Sequence, residues 1–298
     1  MNDMLKTTPD FSIDAAAALL VEHYGLSGTL SPLASERDQN FKVTTTEGTF
    51  ILKLINAAEP EVESDFQTAL LAHLGTHAGD LPVPHIRPTL SGGSLASTTS
   101  PHGVQHRIRL VSWVEGRPLA ETERSDAALQ SLGRMLGRFD AALQGFMHPG
   151  ALRDLDWNIR NAGRSAGRLQ HVSAAEDRAL LERFLMRFAA IAPRLATLRA
   201  AVIHNDANDW NVLVDTGDAD RISGLIDFGD ALHSPVIAEV AIAAAYAGLD
   251  HGDPIGAAAA IASGFHAEYP LQEEEIDLLY DLIAIRLVTS VTISASDR

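Results

Sequence analysis

Apolar and polar positions change their rhythm several times along the chain. Residues 11–24 repeat apolar positions at helical spacing, with Ser12 placed to cap the start and Gly25 to end the run, which predicts a leading helix. In "NFKVTTTEGTFILKLIN" two β-rich runs, Phe41 to Thr45 and Thr49 to Ile55, flank Glu47-Gly48, the pattern of a hairpin. Helical spacing returns in "EPEVESDFQTALLAHL", where Pro60 suits a first turn and Leu70 and Leu74 mark the packed face. "LPVPHIRP" forces extended chain, "SGGSLASTTSPHG" predicts a mobile hairpin or loop, and "VQHRIRLVSWVEGRPL" reads as a strand leaving through a turn at Gly116. From Ser125 onward the period is helical except between Ala201 and Asp230, where short strands are expected at 202–204, 212–214 and 222–226.

This pattern predicts an α+β chain of two lobes: a small β-rich lobe over residues 1–112 and a larger, mainly helical lobe over 113–298, with ligands favoured in the cleft between them. No apolar run reaches the length of a membrane-spanning helix, and the first ten residues lack a secretory pattern. Cysteine is absent, which fits a cytoplasmic protein. The formal charge of -16 argues against nucleic acid and anionic membrane as partners and favours a cationic small molecule. An anionic nucleotide would need local cations, from a lysine and a divalent metal.

The densest polar cluster is "HNDANDWNVLV" at 204–214, directly after the apolar run Ala201-Val202-Ile203. Six polar side chains beside a core strand need partners. Asp206, Asn211 and Asp227, the last at the end of "ISGLI", form a hard oxygen set that suits Mg2+, which keeps several waters and adds substrate phosphates. The spacing of His204 and His233 matches no usual zinc pattern. A loop that only caps helices is the plain alternative.

"HNDANDWN" followed by "IDFGD" resembles the catalytic loop and metal motif of the aminoglycoside phosphotransferase, or choline-kinase-like, family. The resemblance implies a protein-kinase-like two-lobe fold and transfer of the γ-phosphoryl group of ATP or GTP to an alcohol. It also implies that Asp206 accepts the hydroxyl proton, that Asn211 and Asp227 hold Mg2+, and that His204 braces the loop. Lys53, in the buried strand "TFILKLIN", falls where the family places its phosphate-binding lysine. A buried lysine needs an acidic partner. Relatives supply a glutamate from the next helix; here Glu63 is the first choice and Asp65 the second, while Gln67 lies near the family's glutamate position. No Gly-rich loop is present, so Ser35 and backbone amides in "LASERDQNFKV" are the expected phosphate donors, and main-chain groups from Val111 to Trp113 the expected contacts of the purine.

"DWNIRN" at 156–161 resembles the hydroxylysine kinase branch of the family, whose bacterial relatives often carry a C-terminal aminotransferase-like domain. An amine-bearing acceptor is therefore expected, such as 5-hydroxylysine or a related amino alcohol. Trp157 and Asn158 would close over it by cation–π contact and hydrogen bonding, and Asp209 and Asp230 would face its ammonium. For Trp157 and Asn158 a packed helix junction is the alternative, and for the two acids the capping of neighbouring turns. Glu239, an acid within the apolar helix "SPVIAEVAIAAAYA", reads as structural. Aminoglycosides, choline and homoserine are rival acceptors. A non-catalytic nucleotide-binding module and a metal-dependent hydrolase built on His204, Asp206, Asp227 and His233 are rival functions.

Overall fold

The computed structural model describes residues 7–35 and 37–297. Most of the segment expected to lack a secretory pattern (1–6), Glu36 of the expected phosphate loop, and Arg298 lie outside the described residues. The chain divides into two compact units, Met1–Val114 and Glu115–Arg298.

In the first unit, α1 (Ile13–Tyr24) begins at Ser12, whose hydroxyl accepts from the Ala15 N–H at 3.2 Å, and ends at Gly25, whose φ of 67° is open to glycine at little cost. One face of α1 buries Ala16, Leu19, Leu20 and Tyr24 in a core with Phe41, Val43, Leu52 and Leu54. The strands are β1 (Gly28–Leu33), β2 (Gln39–Thr45), β3 (Gly48–Leu54), β4 (Ile86–Arg87), β5 (Ala96–Thr99) and β6 (Gln105–Ser112). They form an antiparallel sheet in the order β1-β2-β3-β6-β4, with β5 also paired to β6. Helix α2 (Glu61–His77) follows Pro60.

In the first unit two strands depart from the sequence pattern, and in the second a strand over 232–235 stands where helical period is expected. β1 is mostly exposed and contains Pro32, which an edge strand tolerates because one side of its ladder is open. β5 lies in the stretch expected to be a mobile hairpin or loop; main-chain pairing with β6 orders it without a strong apolar alternation. The first unit extends to Val114 because the Trp113 N–H donates to the Thr49 carbonyl at 3.0 Å, past the end of β6.

The second unit holds β7 (Arg117–Pro118), α3 (Asp126–Ala142), α4 (Ala175–Leu195), β8 (Ala200–Ile203), β9 (Val212–Val214), β10 (Ile222–Leu225), β11 (Leu232–Pro235), α5 (Ile237–Ala247), α6 (Pro254–Glu268) and α7 (Glu273–Ser296). β10, β9 and β7 form one antiparallel ribbon, β11 and β8 another. The stretch 159–171 is a run of 3-10 turns, and its buried residues Ile159, Ala162 and Ser165 recur every third position, as that geometry requires. Helices α3 and α6 meet backbone to backbone at Gly133 and Gly264. A Cβ there would stand 2.0 Å from the Ile261 carbonyl oxygen and 2.1 Å from that of Gln130, so only glycine fits. The contact seats α3 beneath the loop between β8 and β9, where Phe139 meets His204 edge to face at 6.1 Å.

Candidate functional site

The loop between β8 and β9 is held from below by a buried acid. Glu239, on α5, accepts through Oε2 from the backbone N–H groups of His204 (2.5 Å) and Asn205 (3.3 Å). Burial raises its carboxyl to about 7, with those two hydrogen bonds opposing. Asn205 has φ 65° and Asp227 has φ 60°, left-handed values that other non-glycine residues adopt less readily than Asn and Asp.

His204 is buried, and its Nε2 lies 3.0 Å from the Ile226 carbonyl oxygen while Nδ1 accepts from the Asp206 N–H at 3.3 Å. A ring that donates from one nitrogen and accepts at the other is neutral. Burial lowers its pKa to about 4, consistent with that state. With both nitrogens engaged by the backbone, His204 is a brace and not a metal ligand. Among the described residues no three His, Cys, Asp or Glu side chains gather in a metal cage.

Asp206 is fixed by three donors. Its Oδ2 accepts from the side-chain amides of Asn211 (2.8 Å) and Asn208 (3.1 Å), and its Oδ1 from Arg286 of α7 (3.3 Å). Its pKa rises to about 7, mainly through burial, with Asp230 and Asp227 adding and Arg286 opposing. Asn211 also donates to the Asp206 carbonyl (3.0 Å), so its own amide oxygen is the end left for a cation. Asp227 is exposed, and one carboxylate oxygen accepts from the Gly229 N–H at 3.0 Å. The Ile226 N–H donates to the Asn211 carbonyl at 2.9 Å, so the loop and the end of β10 lie side by side, and Asn211 and Asp227 are the oxygen donors that could hold Mg2+.

The expected amine pocket is assembled differently. Asp209 is paired with Arg124 at 2.8 Å, and the same guanidinium donates to the carbonyls of Tyr246, Ala247 and Leu249 at the end of α5. That arginine caps the end of a helix and pairs with Asp209, the acid expected to face an ammonium. Trp157 lies against a cation, but the cation is the protein's own Arg286, with its guanidinium carbon 4.6 Å from the ring centre. The oxygen of the Asn158 side chain accepts from the Arg160 N–H and the Ser234 hydroxyl, both at 3.1 Å, and so caps the 3-10 run. Asp230 is half-buried and close enough to Asp206 to raise its pKa.

In the first unit, the partner of Lys53 is corrected to Asp38, at 2.9 Å, instead of Glu63 or the exposed Asp65. Asp38 immediately precedes β2, and its other oxygen accepts from the Asn56 N–H at 2.9 Å. Gln67 is buried and accepts from Arg109 at 2.5 Å; Arg109 stands directly across from Lys53 in the β3–β6 ladder and also donates to Thr68 (3.3 Å). The helix position nearest the family's glutamate therefore serves the arginine. The hydroxyl of Ser35 accepts from the Asp38 N–H (3.3 Å), closing a turn beside the lysine's partner. Val111 lies inside the sheet, paired with Ile51 and Ile86, and the Trp113 N–H is taken by Thr49, so these donors expected for the purine are committed to the sheet. The Lys42 ammonium covers the Trp113 ring at 3.8 Å.

Sequence reasoning missed Asp38, Arg124 and Arg286. Arg286 carried a signal, an arginine alone among apolar residues in "LIAIRLVTS", where burial demands a partner.

The chain is similar to several known proteins. Over 310 residues the chain is 27% identical to a hydroxylysine kinase of Mus musculus, covering 96% of this chain and 82% of the relative. A homoserine kinase of Methylobacillus flagellatus is 29% identical over 205 residues, 68% of this chain and 58% of that protein. The fold is similar to that of an amicoumacin kinase solved in complex with AMP-PNP, Ca2+ and Ami, with a TM-score of 0.74 and 14% identity over 100% of this chain and 90% of that one. Residues 29–274 match the phosphotransferase enzyme family, and the chain, a kinase of small molecules with a protein-kinase-like fold, belongs to it.

Proposed function

We propose that the enzyme transfers the γ-phosphoryl group of ATP or GTP to the side-chain hydroxyl of a small amino acid, with 5-hydroxylysine the first acceptor and homoserine the second. The carrying observation is Asp206, fixed through both carboxylate oxygens and with its pKa brought to about 7, the range that serves a general base at neutral pH. Asp206 takes the hydroxyl proton as that oxygen attacks the γ-phosphorus; the bond to the bridging oxygen breaks and the nucleoside diphosphate leaves. Asn211 and Asp227 would hold Mg2+, which supplies neutralising charge for the phosphates. Lys53, aligned by Asp38, would bind phosphate, with Ser35 and neighbouring amides as further donors. Asp230 is the acid that favours an ammonium on the acceptor. A cytoplasmic setting fits the use of ATP or GTP.

The test is nucleotide consumption by the purified protein across 5-hydroxylysine, homoserine, choline and an aminoglycoside. The highest kcat/KM is expected for 5-hydroxylysine. A preference for choline or the aminoglycoside would overturn the amino-acid acceptor while leaving the phosphoryl transfer intact.

A further inference from the structure

Arg286 is 3% exposed and stands in the middle of α7, within the second unit. Its guanidinium is fixed from several sides: one terminal nitrogen donates to the Trp157 carbonyl at 3.0 Å, another to Asp206 Oδ1 at 3.3 Å, and the rings of Trp157 and Tyr246 lie 4.6 and 5.5 Å from its central carbon. Its Nε is buried without a hydrogen-bond partner. A buried guanidinium left partly unsatisfied is costly, so stability alone is a poor reason for its presence.

What the arrangement achieves is geometric. Asn208 and Asn211 hold Oδ2 of Asp206 and come from the same loop, whereas Oδ1 is reached from α7, far away in sequence. The loop alone holds only one of the two carboxylate oxygens. A planar fork beside two aromatic rings holds the other.

We infer that Arg286 is a positioning residue for phosphoryl transfer, holding Asp206 Oδ1 so that the carboxylate presents a fixed lone pair to the acceptor hydroxyl. The inference rests on the proposed role of Asp206 as base. The Trp157 ring, expected to face the acceptor's ammonium, lies against this arginine.

The experiment compares Arg286→Met, Arg286→Lys, Asp206→Asn and the double variant Arg286→Met/Asp206→Asn in steady-state phosphorylation of the best acceptor. Arg286→Met is expected to lower kcat about 100-fold, the scale set by a misplaced catalytic group, with nucleotide KM unchanged. Arg286→Lys is expected to recover part of the loss, because an ammonium reaches Asp206 without the fork or the stacking. The double variant should be no slower than Asp206→Asn alone, since both changes act on one step. Parental kcat in Arg286→Lys, additive losses in the double variant, or a rise in nucleotide KM matching the fall in kcat would overturn the inference. If Arg286→Met fails to fold, the lysine variant decides by the same criteria. Parental turnover in Asp206→Asn would instead remove the base assignment, so the two failures are told apart.

Discussion

Lys53 and Asp206 each depend on a partner of opposite charge, but the two ion pairs are assembled from different parts of the chain. Asp206 is held by Asn208 and Asn211, a few residues away on the same loop, and then by Arg286 on a helix near the end of the chain. Lys53 is held by Asp38, across one hairpin, while α2, where the family resemblance places the partner, engages Arg109 through Gln67. The loop around Asp206 is specified by local spacing; the surroundings of Lys53 are specified by strand register, which places Asn40 opposite Lys53 and brings Asp38 to the same end of the ladder. Local spacing is visible in a sequence, and register is visible only once the strands are paired.

The sharpest way to break this comparison is Asp206→Asn. Turnover should fall at least ~100-fold, the usual scale for losing a general base, while nucleotide affinity holds. Lys53→Ala should weaken nucleotide affinity as well. If both variants lose affinity equally, the two sites do not divide the work of transfer and binding as proposed.

A second measurement uses pH. His204 titrates near its ordinary 6.5 in the unfolded chain but at about 4 in the fold, because burial disfavours its charged form. The neutral ring's contribution is complete above pH 6.5, is lost as pH falls toward 4, and is constant below that. The loss amounts to about 3 kcal/mol, at 1.36 kcal/mol for each unit of pKa. Between pH 7 and pH 4 the raised carboxyls of Asp206 and Glu239 favour the folded state in parent and variant alike, so denaturant unfolding should show His204→Asn gaining stability relative to the parent by about this amount as pH falls. Equal slopes in both would mean that the loop's brace does not depend on the neutral ring.

The smallest expected effect separates Asp38 from Glu63. Asp38→Asn should lower kcat/KM for the nucleotide about tenfold, equivalent to ~1.4 kcal/mol, and Glu63→Gln should change it much less. The reverse order, read from the same kinetics, would restore α2 as the lysine's partner.

What was legible in the sequence follows the same division. Ser12 and Gly25 marked α1 because caps act within a few residues, and Glu47-Gly48 marked the β2–β3 turn for the same reason. β1 and β5 gave no alternation to read, since pairing with a neighbour rather than burial of one face orders them. The pairing of Asp209 with Arg124 was hidden because it joins residues far apart in the chain, and a turn-rich loop gives no hint of which acid a remote arginine will take. Glu239 and Arg286 are the instructive pair: each is one charge within an apolar helical stretch, yet only the acid was read as structural. The same reasoning applied to the arginine would have flagged it, though not its target.

The position of Asp38 bears on control. In protein kinases the lysine's glutamate rides on a mobile helix, so swinging that helix turns the enzyme on or off. Here acid and lysine belong to one hairpin, tied together by the ladder of β2 and β3. Movement of α2 would leave that ion pair closed. The pair therefore gives a moving helix no direct hold on Lys53, in contrast to the protein-kinase arrangement.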